Sequence, residues 1–552
     1  MLISILLPLH AWFSYHKNSV SLQHKFMKNT IAIFIVIIAL FQVSCARMGS
    51  PTGGPKDSIP PIMAIAKPAN KTTSFDAEKV VIVFDEYIKF EKLNTQLIIS
   101  PPMEKKPIIK PEVGVSKKIS IEFLESLSPN TTYTINFGNS IIDNNEGNKL
   151  GRFSYVFSTG PDLDSLSITG NITDPLADKK LENISVMAYK NANDTLVGYY
   201  TPNYLSNTLD STNYSLENLS EANYKLIALE DKNNNYKYDK GLERIGFLNE
   251  AIQLKSADTI DDFILFKEPK DNKIMRPTQT SGHVIILGYQ GKDIPKVSAT
   301  GINQNDYFIS KPSSKDSLYF WFKEMPKDTL YLSIKQDTLH QNFSLTPRDL
   351  KIDSLILSSN TKGALHPNDS LILSSNIPVN YINNDSILLL EQDSIPIEYT
   401  LINNPNTHKI FVDFKRETNK TYSLILKELA FKDFLNKTTG KQTIKLKTLD
   451  SEEYGEIVLT IKNPNNTQLI IEISNDSFKT KTTQIINSSQ EVAYRQLPPG
   501  KYQIRIIQDL NKNNKFDNGN FKLRLQPEPV YNFNKKITLR ANSEMNETIT
   551  IE

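Results

Sequence analysis

From residue 61 onward, apolar and polar residues alternate along most of this chain. Ile119, Ile121 and Phe123 share one face of the stretch Lys118–Phe123, with Ser120 and Glu122 on the other. Tyr133, Ile135 and Phe137 repeat the pattern, as do Phe153, Tyr155 and Phe157. Val80 to Phe84 is a short continuous apolar run, and clusters of Asn, Gly and Pro separate the stretches. A period of two broken by turn residues predicts strands with one buried face, and two such sheets hide those faces by packing as a sandwich. Further strands are expected at Ile184–Tyr189, Tyr224–Leu229, Ser317–Phe322, Thr329–Ile334 and Lys409–Phe414. The fold class is therefore all-β, and a composition rich in Asn, Ile, Lys, Ser and Thr agrees.

The pattern is different near the N-terminus. Lys28 precedes an apolar run from Ile31 to Phe41, followed by Gln42-Val43-Ser44-Cys45 and the Gly/Pro-rich arm Gly49–Asp57. An apolar run of about ten residues is half the length a membrane-spanning helix needs. Cys45 is the sole cysteine. Together these features resemble a bacterial lipoprotein signal, although Gln42 stands where that signal prefers Leu. The resemblance implies removal of residues 27–44, lipidation of Cys45, and attachment to the outer membrane, facing the periplasm or the cell surface. Residues 45–60 read as a flexible tether and residues 1–26 as an extension upstream of a start at Met27.

Four motifs in order resemble the SbsA-type bacterial Ig-like domain. They are Val83-Phe84-Asp85-Glu86-Tyr87-Ile88, Leu127-Ser128-Pro129-Asn130-Thr131-Thr132-Tyr133, Ile142-Asp143-Asn144-Asn145-Glu146-Gly147-Asn148 and Phe157-Ser158-Thr159-Gly160. The resemblance implies an Ig-like sandwich over 61–161 and brings no catalytic residue. Residues 165–267 look like a prealbumin-like (carboxypeptidase-regulatory-like) sandwich. Residues 268–345 form a small β domain of no evident family.

Then the chain repeats itself. Lys409–Phe414 restates Lys118–Phe123, Tyr422 falls where Tyr133 fell, Asp433 where Asp143 fell and Thr448 where Thr159 fell. Residues 346–450 are thus a second, diverged Ig-like domain. Leu497-Pro498-Pro499-Gly500-Lys501-Tyr502 opens the signature of a second prealbumin-like domain over 451–552. The expected architecture is a tandem array of Ig-like and prealbumin-like β-sandwiches behind a lipoprotein signal peptide, each module burying its own core.

Composition narrows the function. Lys and Arg number 63 against 61 Asp and Glu, so there is no basic excess for a nucleic-acid partner. With no cysteine beyond Cys45, structural disulfides are excluded. His283, His340, His366 and His408 lie apart, off metal-ligand spacing, and most read as solvated loop or strand residues. No nucleophile, phosphate-loop or metal-hydrolase motif is present, so the chain is not expected to be an enzyme. The expected function is a structural or protein-binding array on a lipid anchor, with an envelope protein or glycan as partner. The alternative is a carbohydrate-binding accessory lipoprotein, for which the one candidate platform is Trp321 beside Tyr319.

Two loops carry the remaining chemistry. Asp231, Asn233, Asn235 and Asp239 stand at relative positions 1, 3, 5 and 9, and Asp509, Asn511, Asn513 and Asp517 do the same. Alternate oxygen ligands around a backbone carbonyl are the pattern of a calcium loop, and weak Ca²⁺ binding is the only cofactor expected. Tyr236 and Asn514 replace the usual Gly, position 12 lacks Glu, Glu243 falls one residue late, and lysines sit inside both loops. The same residues also suit a long hairpin turn. Asp-Ser/Thr-apolar triplets, such as Asp316-Ser317-Leu318 and Asp369-Ser370-Leu371, resemble a bacterial O-glycosylation acceptor. They equally read as a turn, a strand start and a core residue.

Overall fold

The computed structural model describes residues 57–551 apart from 178–179, 192, 194, 314, 327, 362, 367–368 and 476–480. Cys45 and the signal segment lie outside the described residues. The chain divides into a unit ending at Ile59 and a unit running from Pro60 to Glu552. The second unit is a succession of β modules, so the protein is an all-β tandem array.

Module 1 packs one sheet, in the order Met63–Lys67, Lys79–Phe90, Ser116–Glu122 and Ile108–Lys110, against a second made of Ile98–Ser100, Thr132–Asn136 and Ser154–Ser158. The alternation explains the register. Val80, Ile82, Phe84, Ile119, Ile121, Ile135 and Phe157 are all but inaccessible and meet in one core. The chain enters at the end where Ile62 and Asp85 exchange hydrogen bonds. It leaves at the other end, where Gly160 accepts from Ser74 N.

Module 4, whose strands run from Leu357–Ser359 to Gln442–Lys447, uses the same local devices. The Tyr133 hydroxyl accepts from Ser128 N at 2.9 Å, and the Tyr422 hydroxyl accepts from Glu417 N at 2.8 Å. Thr159 Oγ1 accepts from Thr131 N at 3.0 Å and Thr448 Oγ1 from Lys420 N at 3.1 Å. Such a tyrosine corner ties a strand to the loop before it, as in Ig-like sandwiches. Asp143 and Asp433 each fold a loop around a carboxylate that accepts main-chain N–H groups. Burial lifts Asp433 above the usual carboxylate range against those bonds.

Modules 2 and 5 share a different topology. In module 2, Leu166–Thr173 pairs antiparallel with Asn213–Leu219 and parallel with Asp258–Thr259 and Phe263–Ile264. In module 5, Gly455–Lys462 pairs antiparallel with Gln490–Leu497 and parallel with Glu544–Thr550. Module 3, from Lys273–Ile274 to Leu339–Leu345, is a smaller sandwich of two antiparallel sheets.

Each module buries a core of its own, and the joint between modules 3 and 4 adds to it. Alternation rightly puts Trp321 and Tyr319 on one face, with rings 6.0 Å apart, but that face packs into the core of module 4. Trp321 is 4% exposed. His408 is an exception among the histidines read mostly as solvated, at 4% exposed in the same joint. Leu318 and Leu371, from two of the Asp-Ser-Leu triplets, enter cores as strand residues.

Candidate functional site

The two Asp/Asn loops fold nearly alike. Asn235 N donates to Asp231 Oδ1 (3.2 Å) and Tyr236 N to Asp231 Oδ2 (2.9 Å). Asn513 N donates to Asp509 Oδ1 (3.1 Å) and Asn514 N to Asp509 Oδ2 (2.7 Å). Asn233 Nδ2 reaches Asp239 Oδ2, and Asn511 Nδ2 reaches Asp517 Oδ2, both at 2.6 Å. Where a calcium loop would have Gly, Tyr236 (φ 58°) and Asn514 (φ 65°) take the left-handed conformation that spacing demands. All eight residues singled out by the spacing are thus brought together, four in each loop.

Each loop also recruits a Glu. Glu243 Oε1 accepts from Lys232 N at 3.0 Å and Oε2 from Asp239 N at 2.9 Å. Glu528 Oε1 accepts from Leu510 N and Oε2 from Asp517 N, both at 2.9 Å. Glu243, counted one residue late, therefore occupies the closing position. Glu528 does the same from beyond a longer insertion, and sequence spacing missed it. Its signal was the topology: the strand Val530–Asn532 that follows it matches Ile245–Phe247, which follows Glu243.

Burial raises the Glu243 carboxyl above its ordinary range; main-chain hydrogen bonds oppose this, and nearby Asp231 and Asp239 add to it. Side-chain bonds from Asn511 and Asn513 hold Asp517 below its ordinary range, with Lys292 and Lys515 assisting. A carboxylate under pressure from like charges is one a divalent cation would relieve. Among the described residues no three His, Cys, Asp or Glu side chains form a group that could hold a metal ion.

The loops meet at one aromatic side chain. Phe521, on the insertion between Asp517 and Glu528, is 2% exposed and belongs to an apolar cluster of module 2. Its ring lies 5.5 Å from those of Tyr238 and Phe247 and 6.0 Å from that of Tyr199. The Arg524 guanidinium lies 4.6 Å from the Phe521 ring. Gln526 Nε2 donates to Phe247 O at 2.8 Å, and Asn532 Nδ2 to Pro175 O at 2.8 Å. Gly198 (φ +79°) sits against the ring, where a Cβ would fall 3.0 Å from Phe521 Cε1. Module 5 is thereby clasped to module 2.

A Ser–His pair bridges modules 3 and 4. Trp321 Nε1 donates to Ser310 Oγ at 2.9 Å, and Ser310 Oγ lies 2.7 Å from His408 Nε2. Ser310 is 1% exposed. A substrate cannot reach this pair, so its role is to hold the joint.

Comparison with known proteins extends the picture. Residues 57–159 match a family described as a bacterial Ig-like domain, and residues 444–530 match one described as an uncharacterized protein conserved in bacteria. The second match includes the Asp509 loop, Phe521 and Glu528. No curated protein matches the chain. Among solved structures, the major pilin subunit of Bacillus cereus is 9% identical, with 70% of this chain and 99% of that one covered at a TM-score of 0.14. Domains 1–6 of the surface layer protein SbsC are 10% identical, with 87% and 67% covered at a TM-score of 0.14. The TIE protein of Bacillus anthracis is 11% identical, with 90% and 75% covered at 0.13. Likeness at that level says nothing about what this chain binds. The array itself is of β modules, the first of which matches the bacterial Ig-like family over residues 57–159.

Proposed function

We propose that this chain is a non-enzymatic envelope lipoprotein, tethered through Cys45 to the outer membrane, whose modules form a structural or protein-binding array. Modules 1 and 4 are read as SbsA-type Ig-like domains and modules 2 and 5 as prealbumin-like domains. The observation that carries the reading is the way the modules are joined. Trp321 and Phe521 are spent on docking one module to another, and the one Ser–His pair described above is sealed inside a joint. Carbohydrate binding loses its one aromatic platform, since Trp321 is buried. An acylated Cys45 supplies the anchor, with each buried methylene contributing about 0.8 kcal/mol. Replacing Cys45 with Ala and fractionating cells tests it. The protein is expected to move from the membrane pellet to the soluble fraction, and a variant that stays in the pellet refutes the anchor.

The proposal includes weak calcium binding by the two loops, supported by the closing carboxylates of Glu243 and Glu528. Affinity is expected near the millimolar range of extracellular modules. Ligand that binds only the native state stabilises it, so calcium at ten times its Kd adds about 1.4 kcal/mol. Melting residues 60–552 in EDTA and in excess calcium should show a higher midpoint with calcium. Identical melts and no heat on titration would leave the loops as turns.

A further inference from the structure

We propose that the edge strand Leu339–Leu345 of module 3 pairs with the same strand of a second copy of this chain, joining two sheets into one across a two-fold axis. Its sheet has the order Lys296–Thr300, Leu330–Gln336, Leu339–Leu345, and the last strand has no partner on its outer side among the described residues. The tight turn Asp337-Thr338 (Asp337 φ 50°) joins it to Leu330–Gln336 and sets Leu339 opposite Gln336. A two-residue turn closes on a hydrogen-bonded pair, and such pairs alternate along an antiparallel ladder. Leu339, Gln341, Phe343 and Leu345 therefore turn their main-chain groups inward, and His340, Asn342 and Ser344 turn theirs outward. Those three residues are exposed, and among the described residues no other main chain reaches their N–H or C=O groups.

Proteins guard such edges with charge, proline or a bulge. This strand carries no Asp, Glu, Lys, Arg or Pro, and its register is unbroken over all seven residues. The other edge strands of that length are guarded. Asn213–Leu219 carries Glu217 and a break in register, and Gln490–Leu497 carries Glu491, Arg495 and another break. Glu544–Thr550 carries Glu544 and Glu547.

A second copy is the occupant that the strand itself matches. With a two-fold axis at Asn342, Asn342 meets its own equivalent and His340 meets Ser344 of the second copy. Every outward-turned residue then faces another, which gives about six main-chain hydrogen bonds. The register also keeps the faces together. Leu339 lies opposite Leu345 and Gln341 opposite Phe343, all on the core side. Leu339, Phe343 and Leu345 are only partly buried at the rim of the module 3 core, and the added strand covers them. Charge agrees, because a two-fold contact sets the same patch against itself. A neutral strand tolerates that, whereas Glu544–Thr550 would bring glutamates together. One strand is a small interface, so the dimer is a weak one that forms as concentration rises. The pairing needs neither lipid nor calcium, and failure of the anchor or of the loops would leave it standing.

The test uses residues 60–552, a compact unit without cysteine. Sedimentation velocity over a wide range of concentration should show monomer giving way to dimer. Asn342→Pro removes an outward N–H and spares the ladder to Leu330–Gln336. Asn342→Lys sets two charges face to face at the axis. Each should weaken the dimer at least about tenfold, with an unchanged circular dichroism spectrum. The lysine variant decides the matter should proline disturb the strand. Ser298→Lys should have no effect, since Ser298 is exposed two strands away, in line with Ser333 and Asn342. Oxidation of an Asn342→Cys variant reads the position directly. Paired Cα atoms at the axis lie about 5.5 Å apart, within disulfide reach, so this variant should cross-link and Ser298→Cys should not. A chain that is monomeric at every concentration overturns the proposal. So does a dimer that survives both Asn342 variants, or equal cross-linking from positions 342 and 298.

Discussion

Phe521→Asp opens the array and leaves its modules folded. The Phe521 side chain is surrounded by Tyr238, Phe247 and Tyr199 of module 2 and stacked by Arg524 of its own module. Removing a buried Phe costs about 3–5 kcal/mol, and placing a carboxylate among those rings adds to it. What remains of the clasp is chiefly polar: the Gln526 and Asn532 hydrogen bonds and whatever attraction Arg505 exerts on Asp174. Contacts of that kind contribute about 1 kcal/mol each. The closing equilibrium therefore falls by a factor of at least about a hundred. The core of module 5 does not include Phe521, so that sandwich survives. Small-angle scattering should report a larger radius of gyration with an unchanged circular dichroism spectrum. Exposure of Ile227 and Phe247 should raise binding of an apolar dye. A scattering curve identical to that of the unaltered chain would mean that the clasp does not hold the array closed.

Acid loosens the joint between modules 3 and 4. Trp321 donates to Ser310 Oγ, so the serine hydroxyl is free to donate to His408 Nε2, which must then be neutral. Burial pulls His408 down to about 4 from an ordinary 6.5, with a main-chain bond at Ser375 opposing. A His that resists protonation in the fold contributes fully above the unfolded pKa, near 6.5, where both states are neutral. Its contribution declines as pH falls through that value and levels off below the folded pKa. The difference amounts to about 3 kcal/mol, lost between pH 6.5 and pH 4. Trp321 reports on this joint directly, because the one other tryptophan, Trp12, precedes the expected mature chain. Urea unfolding followed by Trp321 fluorescence at pH 7 and pH 4 should show that loss. His408→Gln, which keeps an acceptor and cannot charge, should lose about 3 kcal/mol less between the two pH values. Equal acid sensitivity in both proteins would assign the effect to other groups.

Local order was legible in the sequence because its causes are local. Alternation at Lys118–Phe123, the Tyr133 corner and the Asp143 loop each depend on residues within a few positions of one another. Their recurrence at Tyr422 and Asp433 could therefore be read as a repeat. The Asp231 and Asp509 loops were legible for the same reason, as far as positions 1 to 9. Glu528 was not, because the insertion that carries Phe521 separates it from Asp517 and breaks the spacing that Glu243 nearly keeps. Partners across modules were not legible at all. Periodicity correctly predicted that Trp321 faces the same way as Tyr319, but a period reports that a side chain is buried and is silent on which core buries it. His408 was not legible for a related reason. It has no metal-ligand neighbour in sequence, and its partner Ser310 lies on another module.

Everything proposed about the membrane depends on Cys45. The most direct test is the intact mass of the protein extracted from membranes, with sequencing of its first peptide. The account predicts a chain that begins at Cys45 and carries the mass of several acyl chains on that residue. A chain that begins elsewhere, or one with an unmodified thiol at Cys45, would contradict it.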